Sequence, residues 1–229
     1  MIYARQGVMS VETQAGVWTL PPQRALWVPA RLTHAIDCRT AVSLRTLYLG
    51  GSAARLVPAC CVVSVSDLLR AVVLRLVEGP LGPGQRPQLE ALLASELVAS
   101  EAEPLRLPRP GDARLGRIAD AWAADPADPR GLAEWARDLA LSERSLIRLI
   151  VKGCGMTFRQ WQRQARLLAA LEGLAAGRSV TTVALDCGYN SLSAFVQSFR
   201  SVFGVTPARY FQSESKAKRP HPALPGLGD

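Results

Sequence analysis

Two sets of residues in this chain have types and spacing suited to chemistry. At helical spacing Glu143, Arg144, Ile147, Arg148 and Val151 share one face, and Leu192, Ser193, Val196, Gln197 and Arg200 share the equivalent face of a later helix. Arg144 and Arg148 lie one turn apart, and the planar guanidinium fork suits a guanine edge or a phosphate. In the second set Gln197 suits an adenine edge, Ser193 a base or a phosphate, and Leu192 or Val196 a thymine methyl. Ser142, Ser145, Asn190 and Ser191 stand at the starts of the two helices and complete the candidate DNA-binding residues. Nothing else in the chain reads as a reaction centre. The cysteines (Cys38, Cys60, Cys61, Cys154, Cys187) form no C-x-x-C pair and the histidines are His34 and His221, so a disulfide scaffold and a four-ligand zinc site both fit poorly. The cysteines read as small buried hydrophobes or reduced surface thiols. No catalytic residue, metal or cofactor is expected, and the chain is not read as an enzyme.

The reading faces need helices to carry them, and the sequence writes those helices twice. Leu132, Trp135, Ala136 and Leu139 sit at i, i+3, i+4 and i+7, and Val180, Val183, Ala184 and Cys187 repeat the spacing 48 residues later. Beyond a turn one residue longer in the second copy, Ser142 matches Ser191, Leu146 matches Phe195, Ile150 matches Phe199, and Gly155-Met-Thr matches Gly204-Val-Thr. Arg159-Gln-Trp161 falls opposite Arg209 and Tyr210. Each copy reads as a short helix, a tight turn, a capping serine and a second helix, which is a helix-turn-helix. Between them Thr157 to Ala176 carries Phe158, Trp161, Ala165 and Leu168 on one stripe, with Gly177 as the stop. A helix of roughly twenty residues spans about 30 Å, close to the ~34 Å between successive major-groove segments on one face of B-DNA.

Charge agrees with an anionic partner. Residues 1–129 hold 13 Lys and Arg against 12 Asp and Glu, whereas residues 130–229 hold 14 against 7, so most of the net +8 is C-terminal. A basic half of this kind suits nucleic acid through counterion release, and is also compatible with a membrane surface or plain solubility.

The N-terminal part has a different period. Gly7 to Thr13 alternates, Gln14-Ala15-Gly16 reads as a turn, Val17 to Leu20 resumes, and Ala41 to Leu49 alternates again. Ser66 then caps a helix carrying Leu69, Val72, Val73 and Leu76 that stops at Gly79-Pro80, and a second helix carries Leu89, Leu92, Leu93 and Leu97. These two helices are expected to pack on the strands or on a partner subunit. Three prolines in 101–111 mark a linker. The expected division is therefore a sensor and dimerisation region at 1–100, the linker at 101–111, a DNA-binding domain at 112–213 and a frayed tail at 214–229. The longest uncharged apolar stretch, Leu56 to Ser66, is far short of the roughly 20 residues a membrane span needs, and the N-terminus lacks a signal-peptide pattern, so a cytoplasmic protein with no membrane partner is expected.

At this point the residues match a known family. Residues from about 112 to 212 resemble the DNA-binding domain of AraC/XylS-type transcriptional regulators. The likeness rests on Val183-Ala-Leu-Asp-Cys-Gly188-Tyr-Asn-Ser191, Phe195, Phe199 and Phe203-Gly-Val-Thr-Pro207-Ala-Arg-Tyr210. In the first copy Leu141-Ser142-Glu-Arg-Ser-Leu146-Ile-Arg148 and Gly155-Met-Thr-Phe158 carry it, with Arg166-Leu167 and Ala170-Leu171 in the connecting helix. Apolar Leu192 and Ala194 depart from the more polar reading helix of many members. The first ~50 residues are similar to the family's cupin barrel through Gly16 to Pro29 and His34, although the barrel's earlier strands and metal-binding histidine pair are not present, so the sensor is expected to be N-terminally incomplete.

The resemblance implies an α+β protein: a partial, cupin-like N-terminal β-barrel with amphipathic helices, then an all-α domain of two helix-turn-helix motifs joined by a long helix. It also implies a bacterial regulator of double-stranded promoter DNA that often contacts RNA polymerase. A small-molecule effector, a homodimer, and activation versus repression stay open. Three rival readings stand beside it: a cupin enzyme, which lacks its ligand cluster; an alkylation-repair methyl acceptor, which needs four N-terminal cysteines where only Cys38, Cys60 and Cys61 stand; and a non-specific, nucleoid-like binder of phosphates.

Overall fold

The computed structural model describes residues 1–38, 41–50, 59–99 and 104–216. Among them the strands form two four-stranded antiparallel sheets. The first contains β1 (Ile2–Gln6), β4 (Arg24–Trp27), β6 (Ser43–Thr46) and β7 (Cys61–Ser64) in the order β6-β1-β4-β7. The second contains β2 (Met9–Thr13), β3 (Gly16–Leu20), β5 (His34–Asp37) and β8 (Arg106–Pro108) in the order β5-β2-β3-β8. The β2–β3 hairpin closes where the sequence places a turn, with Thr13 paired to Gly16.

Period-2 alternation assigns the faces. Ile2, Ala4, Leu26 and Val62 of the first sheet share a buried cluster with Met9, Val11, Trp18 and Leu20 of the second. The opposite face of the first sheet, Tyr3, Ala25, Trp27 and Val63, is covered by α1 (Asp67–Glu78) and α2 (Gln85–Ala99) through Leu69, Val72, Val73, Leu76, Leu93 and Leu97. Full burial of such side chains contributes about 1.5–3 kcal/mol each. The two amphipathic helices thus have their partner within the chain. Ser66 caps α1 by accepting from the Leu69 N–H at 3.0 Å. Leu92, expected on the buried stripe of α2, is 37% exposed. Leu89, Leu93 and Leu97 run down one line at i, i+4 and i+8, and Leu92 lies about 100° around the helix from Leu93.

Part of the expected linker is a strand. Leu107 pairs with Val17 and Arg106 with Trp18 across β8 and β3. As the edge strand of its sheet β8 tolerates Pro108, and Leu105 is fully buried beside it. Prolines therefore mark the end of an edge strand here as well as a break. Residues 56–58 of the apolar stretch ending at Ser66, and 217–229 of the expected tail, lie outside the described residues.

The second half is helical: α3 (Ala113–Ala124), α4 (Leu132–Asp138), α5 (Glu143–Cys154), α6 (Phe158–Ala175), α7 (Val180–Asp186), α8 (Leu192–Phe203) and α9 (Pro207–Lys216). The last of these carries the helix through the first three residues assigned to the tail. Phe158, Trp161, Ala165 and Leu168 are all buried along α6. The first helix-turn-helix has its own core, in which Leu115, Ile118, Trp122, Trp135, Leu146 and Ile150 surround Phe158 and Trp161. The second does not. Leu167, Leu171, Val183, Phe195, Phe199 and Tyr210 belong to the cluster that continues into the inner sheet core, and the Arg24 guanidinium lies over the Tyr210 ring at 5.2 Å. Cys154 and Cys187 sit in these cores, where burial pushes their thiols up to about 11.

Candidate nucleic-acid interface

The two helix-turn-helix units are built by the same local bonds. In the first turn Leu139 N–H donates to Trp135 O (3.1 Å), Ala140 N–H to Arg137 O (3.0 Å) and Leu141 N–H to Ala136 O (2.8 Å). In the second Cys187 N–H donates to Val183 O (3.0 Å), Gly188 N–H to Leu185 O (2.9 Å) and Tyr189 N–H to Ala184 O (3.0 Å). Every donor and acceptor is offset by 48, so the repeat read in the sequence is a repeat of hydrogen bonds. Ser142 Oγ then accepts from Ser145 N–H (3.2 Å) and Ser191 Oγ from Ala194 N–H (3.2 Å), starting α5 and α8 at defined points. Gly155 (φ 71°) and Gly204 (φ 76°) end them in the left-handed conformation.

One position in this repeat is unequal. Gly188 occupies the left-handed region at φ 74°, and its counterpart Ala140 is forced there at φ 53°. An alanine Cβ is strained in that conformation and a glycine is not. Ala140→Gly is expected to raise stability by about 0.5–1 kcal/mol, read as a later urea midpoint; an earlier midpoint would show that the turn carries no such strain.

Glu143, Arg144, Ile147, Arg148 and Val151 all lie exposed on α5, opposite buried Leu146, Ile150 and Cys154. On α8 Leu192, Ser193, Gln197 and Arg200 are exposed opposite Phe195 and Phe199, while Val196 is half-buried against the core. Asn190 and Ser191 are exposed at its start. Ser145 is half-buried and its hydroxyl accepts from Ser142 Oγ at 2.9 Å, which places it in the cap. Among the described residues no intramolecular hydrogen bond or ion pair engages the side chains of Arg144, Arg148, Gln197 or Arg200. Ile147 (44% exposed) and Leu192 (43%) are large apolar groups standing in solvent beside these polar ones. The exposed faces of α5 and α8 thus combine donors that no described group of the chain engages with uncovered apolar atoms, a composition that a major groove matches.

The chain is similar to known helix-turn-helix proteins. A helix-turn-helix domain model matches residues 135–213. The HTH-type transcriptional regulator NimR of Escherichia coli strain K12 is 33% identical over 213 residues, which is 92% of this chain and 78% of that protein. The chain belongs to the AraC family of helix-turn-helix transcriptional regulators. The regulator RipA of Corynebacterium glutamicum is 33% identical over 104 residues, covering 45% of this chain and 31% of its own. The crystal structure of ToxT from Vibrio cholerae aligns over 92% of this chain and 88% of its own with 13% identity and a TM-score of 0.44.

Other arginines of this AraC-family regulator are committed to holding it together, and the motif spacing did not single them out. Arg130 donates through its Nε (3.0 Å) and Nη2 (2.5 Å) to the Asp128 carboxylate, through Nη1 to Asp138 (3.2 Å), and lies over the Trp135 ring at 3.7 Å. Asp128 is the one acid buried among the described residues, at 5% exposure, and the Arg130 hydrogen bonds hold its carboxyl below the usual carboxylate range. The sequence signal was the Asp128-x-Arg130 spacing just ahead of α4, in which the Asp128 side chain also accepts from Arg130 N–H at 2.9 Å.

A depressed carboxylate pKa stabilises the fold above the ordinary carboxylate value of about 3.9, and that contribution is lost as pH falls through the lowered folded value. Asp128→Asn is expected to cost about 1 kcal/mol at pH 7, discounted because Arg130 is more than a third exposed. The gap between the two proteins, read from thermal melts, should narrow as pH falls from the ordinary carboxylate value of about 3.9 through the lowered folded one. An unchanged gap down to pH 2 would show that the pair contributes by shape alone.

The His34 ring, carried on exposed β5, lies with Nδ1 3.0 Å from Leu32 O. No cluster of three or more metal-ligating side chains occurs among the described residues.

Proposed function

We propose that this regulator binds double-stranded promoter DNA sequence-specifically by seating α5 and α8 in successive major grooves, with residues 112–213 as the reading domain and 1–100 as its sensor and dimerisation half. The single observation that carries this reading is the pair of capped helices whose core faces are buried and whose opposite faces hold free Arg144, Arg148, Gln197 and Arg200. The 18 residues of α6 rise about 27 Å, the scale of one groove-to-groove step. Its work is binding rather than catalysis.

The same proposal includes three partners. The first is RNA polymerase, met at the same promoter. A homodimer would use the exposed side of α1 and α2, whose buried stripes are flanked by Leu68 (48%), Val77 (38%) and Leu92 (37%). A small effector would act at a cleft of about 230 Å³ between the second sheet and α3 and α6, walled by Val17, Leu107, Trp122 and Leu168. Arg109 there reaches Glu12 on the sheet (3.1 Å) and Asp120 on α3 (2.6 Å), so an occupant would touch both halves at once.

The test is selection of genomic fragments by the purified chain at ~0.15 M salt, then titration of the best fragment against scrambled DNA. The expected result is a motif of two half-sites about one helical turn apart and a preference of about a thousandfold or more. Flat enrichment with a steep salt dependence would instead establish the phosphate-directed, nucleoid-like binder.

A further inference from the structure

The two reading helices are joined by α6, and a second connection runs beside it. Arg166, half-buried on α6, donates through Nη2 to Asp128 O (3.2 Å) and through Nη1 to Gly188 O (3.3 Å). One turn earlier on the same face Gln162 Nε2 donates to Arg130 O at 3.5 Å. Asp128 stands three residues before Gly131, the N-cap of α4, and Gly188 stands three residues before Ser191, the N-cap of α8. One guanidinium therefore holds the loop that starts the first helix-turn-helix and the turn that aims the second. The junction is tight from the other side as well. A Cβ on Gly188 would come within 3.1 Å of Ala127 Cα and 3.2 Å of Arg166 Cζ.

We propose that Arg166 is the positioning residue that sets the angle and separation between α5 and α8, and so the half-site spacing the regulator accepts. Each carbonyl lies in a segment that α6 itself does not hold by backbone bonds. Without the fork, α4 with α5 and α7 with α8 remain attached to α6 by apolar packing, which is non-directional. The guanidinium adds direction, because its five donors have a fixed planar geometry. A lysine ammonium at the same place is a flexible point charge and reaches the two carbonyls without that constraint. Arg166 touches no DNA in this reading; it acts through the turns.

This proposal rests on two-groove binding and predicts more than that reading does. The probes are the selected fragment, the same fragment with one base pair inserted between its half-sites, and a single half-site. The insertion moves the second half-site by about 3.4 Å and turns it by roughly a tenth of a helical turn. Wild type is expected to lose about tenfold or more on insertion, because its readers are held at one spacing. Arg166→Met keeps the stem and removes every donor. It is expected to bind the unaltered fragment about fivefold more weakly, to lose only about twofold on insertion, and to bind the single half-site as wild type does. Arg166→Lys should fall between the two. Gly188→Ala, which wedges the same junction from the opposite side, should also flatten the spacing penalty.

A second measurement needs no DNA. Spin labels carried at Lys152 and Ser201, in full-length protein with Cys38, Cys60 and Cys61 replaced by serine, should show a distance distribution at least about twice as broad in Arg166→Met as in the parent. Should Arg166→Met keep the wild-type insertion penalty and the parent's distribution, Arg166 is not what sets the spacing. Should wild type itself fail to prefer the selected fragment while the distribution still broadens, two-groove recognition fails and the latch survives as a mechanical fact.

Discussion

Trp161→Ala is expected to lower the stability of the helix-turn-helix domain by about 3–5 kcal/mol, enough to unfold much of the first reading unit at physiological temperature. Trp161 is fully buried, meets Trp122 edge-on at 4.9 Å, and packs in one cluster with Trp135, Leu146 and Ile150 beneath the reading helix. Its indole Nε1–H also donates to Pro108 O at 3.1 Å, so the same side chain ties α6 to the end of β8. The damage should be unequal. The second unit draws its core from Leu167, Leu171 and Leu174 further along α6 and from the sheet cluster. Amide exchange should therefore speed up first in α4 and α5 and only later in α7 and α8. Trp161→Phe separates the two contributions: it keeps most of the volume, loses the hydrogen bond, and should cost about 1–2 kcal/mol. A Trp161→Ala protein as stable as wild type by denaturant titration would refute the packing described for α6.

Arg148→Ala should reduce affinity for the selected fragment by about 1–3 kcal/mol, or roughly ten- to a hundredfold, and relax preference at one base pair. Arg148 is exposed on the face opposite Leu146 and Ile150, and among the described residues nothing in the chain engages its guanidinium. Removing it therefore leaves no buried partner behind and should not change the melting temperature. Competition among single-base variants of the fragment reads the outcome. Uniform weakening across all sequences, with a salt slope reduced by about one, would make Arg148 a phosphate contact and shift base reading toward Arg144 and the α8 face.

The exposed faces of α5 and α8 and the helices that carry them were legible because they depend on local rules. Helical periodicity alone separates Leu146 and Ile150 from Arg144 and Arg148, and a capping serine needs only the N–H three residues on. The repeat sharpened this, since two copies 48 residues apart reinforce a signal that is weak in one. The Leu92 placement and the strand within 101–111 were not legible, because each was decided by neighbours distant in sequence. Leu92 lost its place to Leu93 and Leu97 on the sheet-facing line of α2, and Leu107 found Val17 across roughly 90 residues of chain. The same holds for Ala140, whose type suits a helix and whose position in the turn demands φ 53°.

The sequence by itself thus determined the two-part α+β architecture, the double helix-turn-helix and the residues exposed on the outer faces of α5 and α8, all consequences of period, capping and turn chemistry within a few residues. Tertiary structure alone decided that α1 and α2 cover the chain's own sheet, that the second reading unit shares its core with that sheet, and which arginines are free. Arg148 and Arg166 are the same residue type on amphipathic helices. One meets solvent, and the other meets the carbonyls of Asp128 and Gly188, 38 and 22 residues away. Only folding brings those carbonyls within reach, because hydrogen bonding depends on distances that sequence spacing does not encode.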